Sequence, residues 1–234
     1  MLHLHVCRFK IIALFAFFLL CFTTSKAQNG SYDYGKYETP QKYRSTTKFG
    51  IASLLWGHVP FTSEYKILHD FVNGPYSSTQ LGLSLFSGGP LLRTLNNNQP
   101  PTQGDKYTLF GYRFQGTQKF YLNRNTYAPE GWYAGPHISY SYCRFSTQNL
   151  LQVGYFVQLQ QINVCGVVGY QKISNRLVTD FYLGLGYKNN TDVVVNGGSG
   201  LSNRSVDFYK EAPFYSGNVR FMLGLNFGFA SPNR

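Results

Sequence analysis

Residues 219–229, Val219-Arg220-Phe221-Met222-Leu223-Gly224-Leu225-Asn226-Phe227-Gly228-Phe229, put an apolar side chain at six successive odd positions. Arg220, Gly224, Asn226 and Gly228 fall between them. A period of two held this long is that of a strand with one apolar face and one face of small or polar residues. The question it raises is which face meets water.

The same alternation recurs upstream. Leu81, Leu83 and Leu85 alternate with Gln80, Gly82 and Ser84, and Phe110, Tyr112 and Phe114 with Gly111, Arg113 and Gln115. Trp132, Ala134, Ile138, Tyr140 and Tyr142 alternate with Gly135, His137, Ser139 and Ser141. Phe181, Leu183 and Leu185 alternate with Asp180, Tyr182, Gly184 and Gly186. Weaker strands are expected over 46–57 (Phe49, Ile51, Leu55), 59–70 (Val59, Phe61, Tyr65, Ile67) and 161–173 (Ile162, Val164, Val168, Tyr170). That makes eight strands, an even number, several long enough to cross a bilayer when tilted.

In a soluble sandwich the second face would meet bulk water and carry dense charge. Here it is rich in Gly and Ser, with isolated charges. Placing the apolar parity outward turns Lys48, Glu64, Lys66, Arg113, Lys119, Asp180 and Arg220 inward together. Arg144 and Lys172 have outward parity but sit at strand ends, where interfacial charge costs little. Agreement across so many strands predicts an all-β, eight-stranded antiparallel up-and-down transmembrane barrel. Outer connections are expected at 58, 88–106, 146–160 and 189–215, and inner turns at 71–77, 123–130 and 174–176. One stretch resists: Leu151, Val153, Tyr155, Val157 and Leu159 are apolar at odd positions, although the strand that follows is apolar at even ones. A parity switch near Gln160-Gln161 predicts a bulge in one long strand or a separate short strand.

Composition agrees. Only 13% of residues are charged and 18% are aromatic. Disordered chains are richer in charge and poorer in aromatics, and soluble globular proteins average about a quarter charged residues. At the N-terminus Arg8 and Lys10 precede an unbroken apolar run, Ile11 to Phe22, and Ser25-Lys26-Ala27 suits cleavage before Gln28. That is the order of a secretory signal over 1–27; the run falls short of the ~20 residues a membrane-spanning helix needs. Leu20 disfavours a lipoprotein cut at Cys21. A polar periplasmic arm over 28–45 and a barrel over 46–230 are expected to follow. Loss of Arg8, Lys10 and Lys26 leaves 18 bases against 10 acids, a charge of +8, with Cys143 and Cys165 the remaining cysteines.

In this context several motifs resemble known barrels. They are Lys119-Phe120-Tyr121-Leu122, Pro129-Glu130-Gly131-Trp132-Tyr133-Ala134-Gly135-Pro136, Gly169-Tyr170-Gln171, the stretch Asp180 to Tyr187, Glu64-Tyr65 and the last strand. Over residues 46–230 the chain resembles the small OmpA/OmpX-like outer-membrane barrels and, more narrowly, an uncharacterised barrel family carrying a domain of unknown function. The resemblance implies the fold and an outer-membrane location in a Gram-negative-type bacterium, and no established activity. Gly224, Phe227 and Phe229 also resemble the terminal signal read by the barrel-assembly machinery. The tail Ala230–Arg234, and Met222 where a polar residue is usual, depart from that pattern.

The inward charges suit a paired interior plug, because an eight-stranded barrel is just wide enough for side chains to fill it. Two acids facing five bases leave a cationic excess, able to hold an anion or to be eased by water. The alternatives are a narrow pore and a lipid-modifying hydrolase or acyltransferase, for which His137 with Ser139 and Ser141 on the same face is the best case. No third triad member is identifiable, and the other histidines, His58 and His69, lie apart. Cys143 and Cys165 share inward parity and are candidates for a disulfide in an oxidising compartment. No metal or cofactor is expected. Scattered bases without a binding motif argue against nucleic acid; anionic lipid is the better partner. Asn-x-Ser/Thr triplets at Asn29, Asn189 and Asn203 matter only in a eukaryotic secretory route. The leading expectation is a non-enzymatic structural or accessory barrel, a companion subunit of a larger outer-membrane protein.

Overall fold

The computed structural model describes residues 42–50, 62–89, 106–122, 127–148, 155–196 and 218–233, with the single positions Thr94 and Asn97. The expected signal, most of the arm and the turn at His58 lie outside these residues, as do large parts of the outer connections. Eight strands run β1 Tyr43–Gly50, β2 Thr62–Gly74, β3 Ser77–Gly88, β4 Lys106–Tyr121, β5 Gly131–Gln148, β6 Tyr155–Ser174, β7 Leu177–Asn196 and β8 Val219–Pro232. Each pairs antiparallel with its neighbour in sequence, and β8 closes on β1. The expected all-β up-and-down barrel is what the chain forms. Among the described residues no helix is long and apolar enough to cross a membrane.

The register fixes the barrel's geometry. Stepping across paired residues from Gly228 through Lys48, Leu68, Gly82, Gln115, Ser139, Asn163 and Lys188 returns to β8 at Asn218, ten residues away. Eight strands with that stagger are tilted by roughly 40°, and their side chains fill the interior. Closure leaves no unpaired edge strand.

The predicted faces hold. Phe110, Phe114, Leu85, Leu185, Phe221 and Phe229 are among the large apolar side chains left exposed on the outer wall, Phe221 by 65%. Lys48, Glu64, Lys119 and Asp180 are fully buried inside.

Four details differ from expectation. β1 begins at Tyr43, within the stretch read as an arm, because Tyr43 packs on Ile173, Val178 and Ala230. The inner hairpin expected over 71–77 narrows to Pro75-Tyr76, so Asp70 and Val72 lie within the ladder. β7 continues to Asn196, well into the expected loop. Finally, residues 155–174 form one strand whose ladder with β5 is unbroken. The irregularity falls in the β6–β7 ladder between Gln160 and Gln161, where Gln160 faces Asp192 and Gln161 faces Asn190. The extra residue, Thr191, therefore belongs to β7. The apolar parity changes because Leu159 faces inward and packs on Phe86 and Cys143.

Candidate functional site: a charged and filled lumen

The interior is organised in two tiers. The inner tier lies toward the short hairpins. Lys48 Nζ stands 2.6 Å from Asp180 Oδ2 and 2.8 Å from Asp70 Oδ2. Lys119 Nζ lies 3.3 Å from the same two oxygens. Both ammonium groups donate to Gln171 Oε1, at 2.9 and 3.0 Å. The other carboxylate oxygens are also met: Tyr133 Oη donates to Asp180 Oδ1 at 2.7 Å and Gln80 Nε2 to Asp70 Oδ1 at 2.7 Å. Thr46 Oγ1 adds a bond to Asp70 and Asn226 Nδ2 one to Asp180. Two cations face two carboxylates from four different strands, so the tier is neutral and densely bonded. Burying ions at this depth is tolerable only with such pairing.

The outer tier is built around Arg113. Arg113 Nη1 forks onto both oxygens of Glu64, at 3.0 and 3.1 Å. Its Nε donates to Ser141 Oγ at 2.7 Å, and its guanidinium lies over the Phe86 ring. Its Nη2 is buried without a hydrogen-bond partner. Lys66 Nζ donates to Tyr182 Oη at 3.2 Å. Lys188 is buried nearby and Arg220 is half-buried. Arg113 is thus the cation paired with Glu64, while Lys66, Lys188 and Arg220 stand on the same outer side of the lumen.

Between the tiers is a cavity of about 10 Å³, room for roughly one water molecule. Gln80, Gln115, Thr117, Tyr133, His137, Val167 and Tyr182 line it. His137 Nδ1 lies 2.8 Å from Thr117 Oγ1, whereas its Nε2 is buried and has no partner.

All seven residues expected in the lumen network are therefore on the inner side, but they form two groups and not one. Lys48, Lys119 and Asp180 belong to the inner tier, and Glu64, Lys66, Arg113 and Arg220 to the outer. Asp70 and Lys188 were missed. Both keep the inward parity of their strands, and following the alternation four residues past Lys66, to the end of the strand drawn over 59–70, would have found Asp70. Gln171 and Tyr133, which bond the inner tier's ions, and Tyr182, which receives Lys66 in the outer tier, carry no signal beyond inward parity.

The cysteine expectation is corrected. Cys143 is opposite Leu159 and Cys165 opposite His137, six positions along β6. At about 3.4 Å per residue that offset is roughly 20 Å, far beyond the ~7 Å between Cα atoms that a bridge spans. Both thiols are free and buried.

His137, Ser139 and Ser141 are buried on one face as expected, but neither serine serves the histidine. Asn163 Nδ2 donates to Ser139 Oγ at 3.2 Å, and Ser141 receives Arg113. His69 is on the outer face, 2.9 Å from Thr47 Oγ1 and edge-on to Phe71. Among the described residues no three His, Cys, Asp or Glu side chains converge as metal ligands. In β8, Phe227 and Phe229 point outward, and Gly224 points inward opposite Tyr182. A Cβ at Gly224 would collide with the Tyr182 ring, so this glycine has a packing role whatever its part in assembly.

Among solved structures the chain is similar to the crystal structure of Acinetobacter baumannii CarO. The two share 14% identity with a TM-score of 0.43, covering 82% of this chain and 97% of that one. No family model matches the chain, and no curated protein matches it. The narrower family resemblance thus rests on the short motifs alone.

Proposed function

We propose that this chain is an outer-membrane barrel of a Gram-negative-type bacterium with a structural or accessory role, the companion subunit of a larger outer-membrane protein. The observation that carries this reading is the inner tier: Lys48, Lys119, Asp70, Asp180 and Gln171 knot the lumen shut. A pore would need these ion pairs to separate inside a low-dielectric wall, at a cost of several kcal/mol. The apolar outer wall supports a lipid environment, and the barrel-assembly machinery would insert it there. The lumen then offers no through-route, which leaves the outer wall and outer connections as working surfaces. Lipid chemistry at His137 is disfavoured because Ser139 and Ser141 are engaged by Asn163 and Arg113.

The test is a native pull-down from detergent-solubilised outer membrane with a tag after Arg234, joined to planar-bilayer recording of the purified barrel. Stoichiometric recovery of one larger membrane protein, with a silent bilayer, is the expected result. A lone monomer would remove the companion role. Resolved conductance steps would reinstate a pore, and absence from the outer-membrane fraction would sink the location.

A further inference from the structure

The inner rim of the barrel has one strongly charged sector. We propose that Lys42, Arg44, Lys172 and Arg176 bind the phosphates of anionic phospholipids, the class of phosphatidylglycerol, in the leaflet that meets the short hairpins. This rests on the lipid-facing wall argued above and adds to it a lipid chemistry and a place.

The four cations surround one buried cluster. Tyr43, Ile173, Val178 and Ala230 pack together at the inner mouth of the lumen. Lys42 and Arg44 flank Tyr43, Lys172 precedes Ile173 on β6, and Arg176 occupies the β6–β7 hairpin two residues before Val178. Backbone bonds hold the sector together: Ala230 N–H donates to the Arg176 carbonyl at 2.8 Å, and Asn233 N–H to the Lys42 carbonyl at 3.1 Å. All four side chains are exposed, and none forms an ion pair with a described residue.

The excess survives a count of the surroundings. Beyond the inner tier, Glu130 is the one acid among the described residues of this rim, and its Oε1 accepts from the Ile173 N–H at 3.4 Å. By composition, residues 71–77 carry no charge, 122–131 balance Arg124 with Glu130, and 28–41 carry Asp33 and Glu38 against Lys36. The opposite end differs. Residues 51–61 and 149–154 carry no Asp, Glu, Lys or Arg; 89–105 carry Arg93 and Asp105; 197–217 carry Arg204 and Lys210 against Asp207 and Glu211. Charge in the outer connections therefore cancels, whereas the inner rim gathers like charges that a phosphate-bearing surface would neutralise.

Depth decides for lipid over a soluble acidic protein. Trp132 and Tyr170 are exposed on the outer wall with ring centroids 5.1 Å apart, an aromatic pair of the kind that girdles a barrel at the membrane interface. Lys172 follows Tyr170 by two residues on the same face, about 7 Å along the strand and about 5 Å along the barrel axis at a tilt of roughly 40°. The headgroup layer is itself roughly 5–7 Å deep. Arg176 adjoins Leu177, an exposed apolar side chain of the inner rim. The first anions within reach are therefore headgroup phosphates of the surrounding leaflet. A guanidinium can fork onto two phosphate oxygens, and the lysines act as point charges.

The test uses the full mature chain carrying Trp56→Phe, which leaves Trp132 as its single tryptophan. It is folded into phosphatidylcholine bilayers in which about one fifth of the lipid is brominated phosphatidylglycerol or, in parallel, brominated phosphatidylcholine. Quenching of Trp132 reports which lipid gathers beside it. About fivefold enrichment of the anionic lipid is expected at low salt, falling toward unity in about 1 M sodium chloride. Lys172→Gln with Arg176→Gln is expected to remove the enrichment; should the pair fail to fold, Lys172→Gln alone should reduce it. Equal quenching by the two lipids would overturn the proposal, and poly-glutamate binding in that case would assign the sector to an acidic protein instead. Enrichment untouched by the substitutions would overturn it too. A chain that enters neither bilayer would overturn the lipid-facing wall itself, an outcome distinct from insertion without lipid preference.

Discussion

Asp180 is the side chain on which the inner tier turns. It accepts from Lys48, Lys119, Tyr133 and Asn226, members of β1, β4, β5 and β8, while sitting on β7. Asp180→Asn removes the charge but little of the shape. Lys48 and Lys119 would then share the single carboxylate of Asp70 in a closed lumen. Breaking a buried ion pair from one side costs about 3–5 kcal/mol, and urea unfolding of the refolded barrel should show a loss of that order. Adding Lys119→Met should recover part of it, because the orphaned cation goes too. Unchanged stability in Asp180→Asn would mean that the tier contributes nothing to the fold. Parity alone located Asp180, Lys48 and Lys119, since a strand offers a side chain only two directions. It could not show that they touch, because contact across a lumen depends on stagger, and stagger is a property of all eight ladders together. Asp70 escaped for a simpler reason: an inner turn drawn from 71 left it no ladder beyond.

Strand existence was legible; strand ends were not. Alternation in the middle of each element comes from one face meeting the outside and the other the lumen. Near the rims that contrast fades. Leu159 shows it best: an apolar side chain facing inward, where it joins Phe86 and Cys143 and mimics a change of face. The irregularity sensed near Gln160-Gln161 is real in the ladder, but the inserted residue is on the partner strand, which no reading of β6 alone can assign. The β6–β7 hairpin offers a prediction at this scale. Asn175 and Arg176 both have positive φ, 49° and 73°, the backbone of a two-residue turn that matches strand twist. Asn tolerates that region, whereas Arg is strained there by roughly 1–2 kcal/mol. Arg176→Gly should therefore stabilise the barrel by about 1 kcal/mol and slow its unfolding in urea. A destabilised variant would mean that the arginine side chain makes up for the strain by contacts of its own.

For the whole molecule, the decisive matter is what the outer wall touches. Closure, stagger and a bonded lumen would all be compatible with water outside; the wall's composition would not, since Phe, Tyr and Leu side chains run side by side over every strand. Leu183 and Leu223 are cross-strand partners near the middle of that wall, and Leu177 lies at its inner rim beside the hairpin. Each is well exposed. In water, arginine at any of the three would change stability by no more than about 0.5 kcal/mol, as surface substitutions do. In a bilayer the cost depends on depth, about 2–4 kcal/mol at the midplane and 0–1 near the interface. Leu183→Arg and Leu223→Arg should thus each lower the folding free energy into lipid vesicles by that larger amount, and Leu177→Arg by the smaller. The difference between positions carries the argument, because a general loss of packing would penalise all three alike. Equal and small effects would mean that the wall faces something other than lipid, and the aromatic surface would then have to be the covered face of a protein complex.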